Sequence, residues 1–124
     1  MSGGASEFEL EVLRLINIER ANEGIAPLAA NPSLMMAARF KSQSMADIGY
    51  FSHESPVFGS FSNLPRELFN IDIWAENIAA GQRTAQAVVT SWMNSPGHRA
   101  NIMNPARREI GIGMHNFHWT QQFR

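Results

Sequence analysis

Apolar positions recur at helical spacing through Phe8, Val12, Leu15 and Ile16, behind a Ser6 and Glu9 pair that reads as a capping box. A first helix is therefore predicted to about Glu23, with Gly24 ending it. Ile25 to Leu28 makes a short connection, after which Asn31 as N-cap and Pro32 at the first helical position open a second helix. Its stripe of Leu34, Met35, Ala38, Met45 and Ile48 runs to Gly49, and methionines at this spacing read as core filler rather than as an adaptable groove. From Gly49 to Asn70 the periodicity fades. That stretch reads as a loop with one short helix, Asn63 to Phe69, capped by Asn63. A long irregular segment in a chain of this size points to function, and it contains His53.

The second half changes rhythm. Ile71 to Ala80 is predicted as a strand with Trp74, Glu76 and Ile78 on one side and Ala75, Asn77 and Ala79 on the other. Thr84 caps a helix through Val88 and Trp92 to about Asn94. Ser95 as N-cap and Pro96 at N1 then start a short helix toward Met103, with His98 in its first turn. Glu109 to Met114 alternates apolar residues with glycine, as a strand does where another element packs close above the glycine face. A turn near Asn116 leads to a last strand, His118 to Phe123. Helices first, a strand in the middle and a hairpin last predict an α+β fold, with helices packed on a small, largely antiparallel sheet.

The totals narrow the choices. A chain of 124 residues fits one domain, here 7–124, with 1–6 expected to be a flexible start or the remnant of a trimmed chain. A net charge of −1 leaves no electrostatic footprint for nucleic acid or an anionic membrane. Cysteine is absent, so His, Asp and Glu are the candidate metal ligands. No apolar run approaches the ~20 residues of a transmembrane segment, and no signal region opens the chain.

Chemistry concentrates around Glu76, one carboxylate in an otherwise apolar run, flanked at a distance by His53 and His98. Two imidazoles and a carboxylate suit zinc or a similar divalent ion, with His53 and His98 as ligands and Glu76 as a third ligand or as acceptor of a ring N–H. No local H-E-x-x-H signature is present. Without an ion, a neutral His98 hydrogen-bonded to Glu76 would hold two loops together. Ser52, Ser55, Ser91 and Ser95 lie near the histidines in sequence, which sketches a serine hydrolase. No G-x-S-x-G elbow supports it, and Ser95 reads as a helix cap. Metal-assisted hydrolysis, with Glu76 as base toward a bound water, is the other enzymatic reading. No catalytic residue is assigned. His115 and His118 read as a surface pair, Asn17 and Arg20 as structural, with one buried Asn on a polar face. Trp74, Trp92 and Trp119 would form either an aromatic wall or core, and Trp92 is assigned to the core.

The order YFSH, AENIAAG, SWMNSPGHRANIM, EIGIG and HWTQQF resembles the CAP superfamily (cysteine-rich secretory, antigen 5 and pathogenesis-related 1 proteins), especially its bacterial SCP-like branch, from about Glu11 to Phe123. The resemblance implies an α/β/α sandwich, an extracellular or cell-surface location with the signal peptide removed, and a central cleft lined by two His and two acidic residues that binds divalent metal in some members. His53, Glu76 and His98 match three of those cleft positions, and Glu67 is the nearest candidate for the fourth. Ala75 stands where the family usually has Gly. The expected function is a binding module whose cleft takes a small ligand, lipid or peptide, with a divalent metal as optional element. The alternative is a metal-assisted or serine hydrolase acting on peptide or a cell-surface polymer.

Overall fold

A computed structural model describes residues 6–124, so the expectation of a flexible start lies, except for Ser6, outside the described residues. Helix α1 spans Glu7–Asn22 behind the predicted capping box: the Glu9 N–H donates to Ser6 Oγ at 3.2 Å and the Ser6 N–H to Glu9 Oε1 at 2.9 Å. Val12 and Ile16 are fully buried, whereas Phe8 stays partly exposed and meets the Phe117 and Trp119 rings edge-on. The polar side of α1 is built differently from the expectation of one buried Asn. Asn17 is half-buried and clips the Leu28 main chain through both its N–H and its carbonyl. Arg20 is the fully buried residue, donating to the carbonyls of Ala26, Ile102, Asn104 and Arg107. Both are structural.

Strand β1, Ala29–Ala30, was not visible in the pattern, because two alanines carry no periodicity; it pairs in parallel with β3, Glu109–His115. Helix α2, Pro32–Ile48, starts at the Asn31 cap and ends on Gly49 in the left-handed region. The short α3, Asn63–Phe69, keeps its predicted bounds but not its predicted cap. Ser62 holds the N-cap position, and the Asn63 amide donates instead to the Phe58 carbonyl, across the loop.

Strand β2 is Ala75–Ala80, four residues shorter at its start than predicted. Ile71 and Ile73 form a small cluster with Leu34 rather than pairing in the sheet, and Asp72 between them pairs at the surface with Arg66. Helix α4, Ala85–Met93, carries the Thr84 cap, with the Ala87 N–H donating to Thr84 Oγ1. Helix α5 is Pro96–Ile102; Ser95 occupies its N-cap position, but its hydroxyl makes no capping bond, contrary to the sequence reading. The hairpin of β3 and β4, His118–Phe123, turns on Asn116 and Phe117, both at positive φ as a two-residue type I′ turn requires.

The sheet order is β1-β3-β4-β2, antiparallel except for β1. Register assigns its faces. One carries Ile110, Ile112, Trp119 and Phe123 into a core with Val12 and Ile16 of α1, Val88, Val89 and Trp92 of α4, and Ile102 of α5. The other carries Gly111 and Gly113 opposite Gln122 and Thr120, and lies beneath α2. This is the expected three-layer α+β arrangement.

The glycine face sets a test of packing. A Cβ on Gly111 would collide with the Leu34 carbonyl of α2, whereas one on Gly97 meets nothing within 4 Å. Gly111→Ala is therefore expected to lower stability by about 3 kcal/mol, and Gly97→Ala to change it by less than about 1 kcal/mol. Urea unfolding of the two variants measures the contrast.

Candidate functional site

Alternation along β2 places Glu76 on the α2 face, directly across from Gln122. Its side chain is 1 % exposed, so both oxygens need partners. Gln122 Nε2 donates to Oε2 at 2.9 Å, and the His53 ring approaches Oε1 through Nδ1 at 3.0 Å. A carboxylate only accepts, so Nδ1 carries the proton and, in the neutral ring, Nε2 keeps a free lone pair. His53 sits on the irregular loop after α2 with half its side chain exposed. A hollow of about 230 Å³ opens there, lined by His53, Glu76 and Phe61.

His98 belongs to α5 and is half-buried; it is not among the residues that line that hollow. Its main chain is anchored by Asn77, on the opposite face of β2: Asn77 Nδ2 donates to the His98 carbonyl at 3.1 Å and to Gln121 Oε1 at 3.0 Å, while Asn101 donates to Asn77 Oδ1 at 2.8 Å. Burial, and then the charge of the His53 ring, hold the His98 imidazole below its ordinary pKa of 6.5. The tie between loop and strand is made by His53, not by a His98–Glu76 bond.

Other candidates fall elsewhere. Glu67 is exposed on α3, and among the described residues it makes no hydrogen bond or ion pair with His53, Glu76 or His98. His115 and His118 face each other across the hairpin near the surface, His118 against the Asn116 carbonyl and His115 3.8 Å from Asp47. Trp92 and Trp119 are core residues whose indole N–H groups donate to the carbonyls of Ile78 and Gln82; Trp74 alone stands out, 63 % exposed. Ser52 and Ser55 accept loop N–H groups, and among the described residues no serine hydroxyl is hydrogen-bonded to a histidine ring.

The donor set can be weighed against a metal. Among the described residues no group of three or more His, Asp or Glu side chains comes together as a metal centre would. Glu76 is buried with one hydrogen bond on each oxygen, so the more accessible donors are the two imidazoles, one short of the three protein ligands of a catalytic zinc. His53 itself has the disposition of a metal ligand, its second nitrogen held by a carboxylate.

A sequence model for CAP, described as the cysteine-rich secretory protein family, matches residues 13–123. The chain belongs to the CAP family. It does so without any cysteine. The uncharacterized protein YkwD of Bacillus subtilis (strain 168) is 44% identical over 121 residues, which is 95% of this chain and 47% of YkwD. An extracellular protein containing a SCP domain from Bacillus anthracis superposes with a TM-score of 0.88 at 28% identity, over 98% of this chain and 44% of that one. An outer surface protein of Borrelia burgdorferi shares the fold at 18% identity, with a TM-score of 0.81 over 97% of this chain and 94% of that one. The CAP chain thus spans less than half the length of these two Bacillus relatives.

Reading the sequence missed Gln122, Phe61, Asn77 and Asn101. The doubled amide at Gln121 and Gln122 inside a strand otherwise made largely of apolar and aromatic residues was the signal available.

The influence of the His53 charge on His98 is testable. In an NMR titration His98 is expected to titrate below 6.5. With His53→Ala its pKa should rise but stay below that value, because burial is the larger cause. A His98 curve that ignores the substitution would separate the rings. The linked stability follows in sign: the His98 contribution is full above pH 6.5, the unfolded value, and is lost as pH falls through the lower folded one.

Proposed function

We propose that this CAP domain is a secreted or cell-surface binding module, with its ligand site at the His53–Glu76 pair and the neighbouring His98. The observation that carries the reading is the hollow beside that pair, where a half-exposed imidazole with a free Nε2 stands next to the Phe61 ring. Such a surface offers one polar anchor and one apolar wall, which suits a small ligand, a lipid or a peptide. The names of two structural relatives, an extracellular protein and an outer surface protein, support the location. Among the described residues no helix is long and apolar enough to cross a membrane.

A divalent ion is an optional element in this proposal, held by His53 and His98. Two imidazoles make a weak site, and isothermal titration with Zn²⁺ is expected to give heat with the wild type that vanishes in the His53→Ala, His98→Ala double variant. Equal heats from both proteins end the metal part and leave the binding module standing.

One observation favours a second reading, hydrolysis of peptide or a cell-surface polymer. The Nδ1–H bond to Glu76 gives His53 the orientation of a general base, with the carboxylate fixing the tautomer. Glu76 would then be the orienting group rather than the base. Glu76→Gln should lower turnover by about 100-fold or more while the fold survives. A substrate panel on which wild type and this variant perform alike removes the enzymatic reading.

A further inference from the structure

Lys41 is the only lysine in the chain, all the other Lys and Arg positions being Arg. It lies on α2 and is 2 % exposed. Its ammonium has three N–H donors and three oxygens to meet them: the Ser52 carbonyl at 2.8 Å, the His53 carbonyl at 3.0 Å and the Tyr50 hydroxyl at 3.4 Å. The Tyr50 ring centroid is 4.9 Å from the ammonium, and the Tyr50 hydroxyl is in turn 2.9 Å from that of Ser44. Among the described residues no carboxylate pairs with Lys41.

Packing gives no reason for this charge. Taking an ammonium out of water costs several kcal/mol, and a methionine would fill the same space without that cost. What the charge adds is direction, because two consecutive carbonyls, one of them belonging to His53, are drawn to a single point on α2. The remaining polar ties of the loop are local or lie farther along. Ser55 and Gly59 bond each other, the Ser55 hydroxyl accepts from Val57 and Phe58, and Asn63 holds the Phe58 carbonyl. Among the described residues no other group bonds the His53 main chain.

We infer that Lys41 is a positioning residue for the His53 imidazole: by pinning the Ser52 and His53 carbonyls to α2 it fixes the backbone from which the ring reaches Glu76. A compact ammonium suits three converging oxygens, whereas the planar fork of an arginine does not, which accounts for a lysine in a chain that otherwise uses arginine. The inference rests on the reading that the His53–Glu76 pair serves a ligand. Its test reads the ring itself, so it can fail while the binding module stands.

The test is long-range ¹H–¹⁵N NMR of the histidine rings in wild type and in Lys41→Met. In the wild type His53 should show one tautomer, protonated at Nδ1. In the folded variant, recognised by unchanged Trp92 and Trp119 indole signals, His53 should average between tautomers. A ring signature identical to that of the wild type overturns the inference. The wild-type protein supplies a second measurement that does not depend on the variant folding. ¹⁵N-lysine labelling gives a single side-chain signal, expected to show slow ammonium exchange and to resist reductive methylation. Exchange and methylation as fast as for an exposed lysine overturn the inference equally.

Discussion

At Gly111 and Gly113 helix α2 rests directly on the backbone of β3, since these glycines meet the main chain of Leu34, Ala38 and Arg39 where any Cβ would collide. Side chains are what usually hold a helix and a sheet about 10 Å apart, and their removal here brings α2 close enough for short polar groups to bridge the layers. The Ser42 hydroxyl reaches both the Gly113 carbonyl and Thr120 Oγ1, at 3.2 and 2.7 Å. The loop that leaves α2 at Gly49 therefore begins close to the sheet, within reach of Glu76 on β2. Had β3 carried valines in place of its glycines, the same loop would start farther out.

Buried polar groups tie other parts of the interior as well. Glu9, fully buried on α1, joins three elements by pairing with Arg39 of α2 and accepting the Met114 N–H of β3. Arg20 gathers four carbonyls from two separate loops. A buried charge is tolerable only when its hydrogen-bonding capacity is met, and each of these ties fixes one loop or layer against another. In a small domain without cysteine they take the place that cross-links hold in other small folds. The region near the candidate site departs from full satisfaction: Gln122 Oε1 and Gln121 Nε2 are buried and without a partner among the described residues.

Local rules carried most of the fold. The Ser6, Asn31 and Thr84 caps, the Gly49 stop and the Asn116 turn each depend on a few adjacent residues, so the pattern alone located them. The glycine alternation in β3 even announced a close neighbour, though not which one. What escaped depended on partners distant in the chain. Strand β1 exists only because β3 lies beside it, and Ile71 to Ile73 stay out of the sheet, packed against Leu34, while Trp74 still donates its N–H to the Phe123 carbonyl. At the site, His53, Glu76 and His98 were legible as unusual residues in ordered motifs. The identity of the bonded pair was not, because nothing local distinguishes the imidazole that takes Glu76 from the one held by its own carbonyl.

That distinction changes the chemistry open to the domain. A carboxylate at 1 % exposure, with one hydrogen bond on each oxygen, has little surface open to a reactant. Placed behind an imidazole, the same carboxylate sets the tautomer and leaves Nε2 as the group presented to the outside. His98 is held below its ordinary pKa by burial and by His53. The pair thus presents nitrogen rather than carboxylate oxygen to whatever enters, beside the aromatic face of Phe61. In the proposed binding module such a surface would suit hydrogen-bond donors and apolar groups together, with the hold on the His53 ring, more than the charge of Glu76, setting its selectivity.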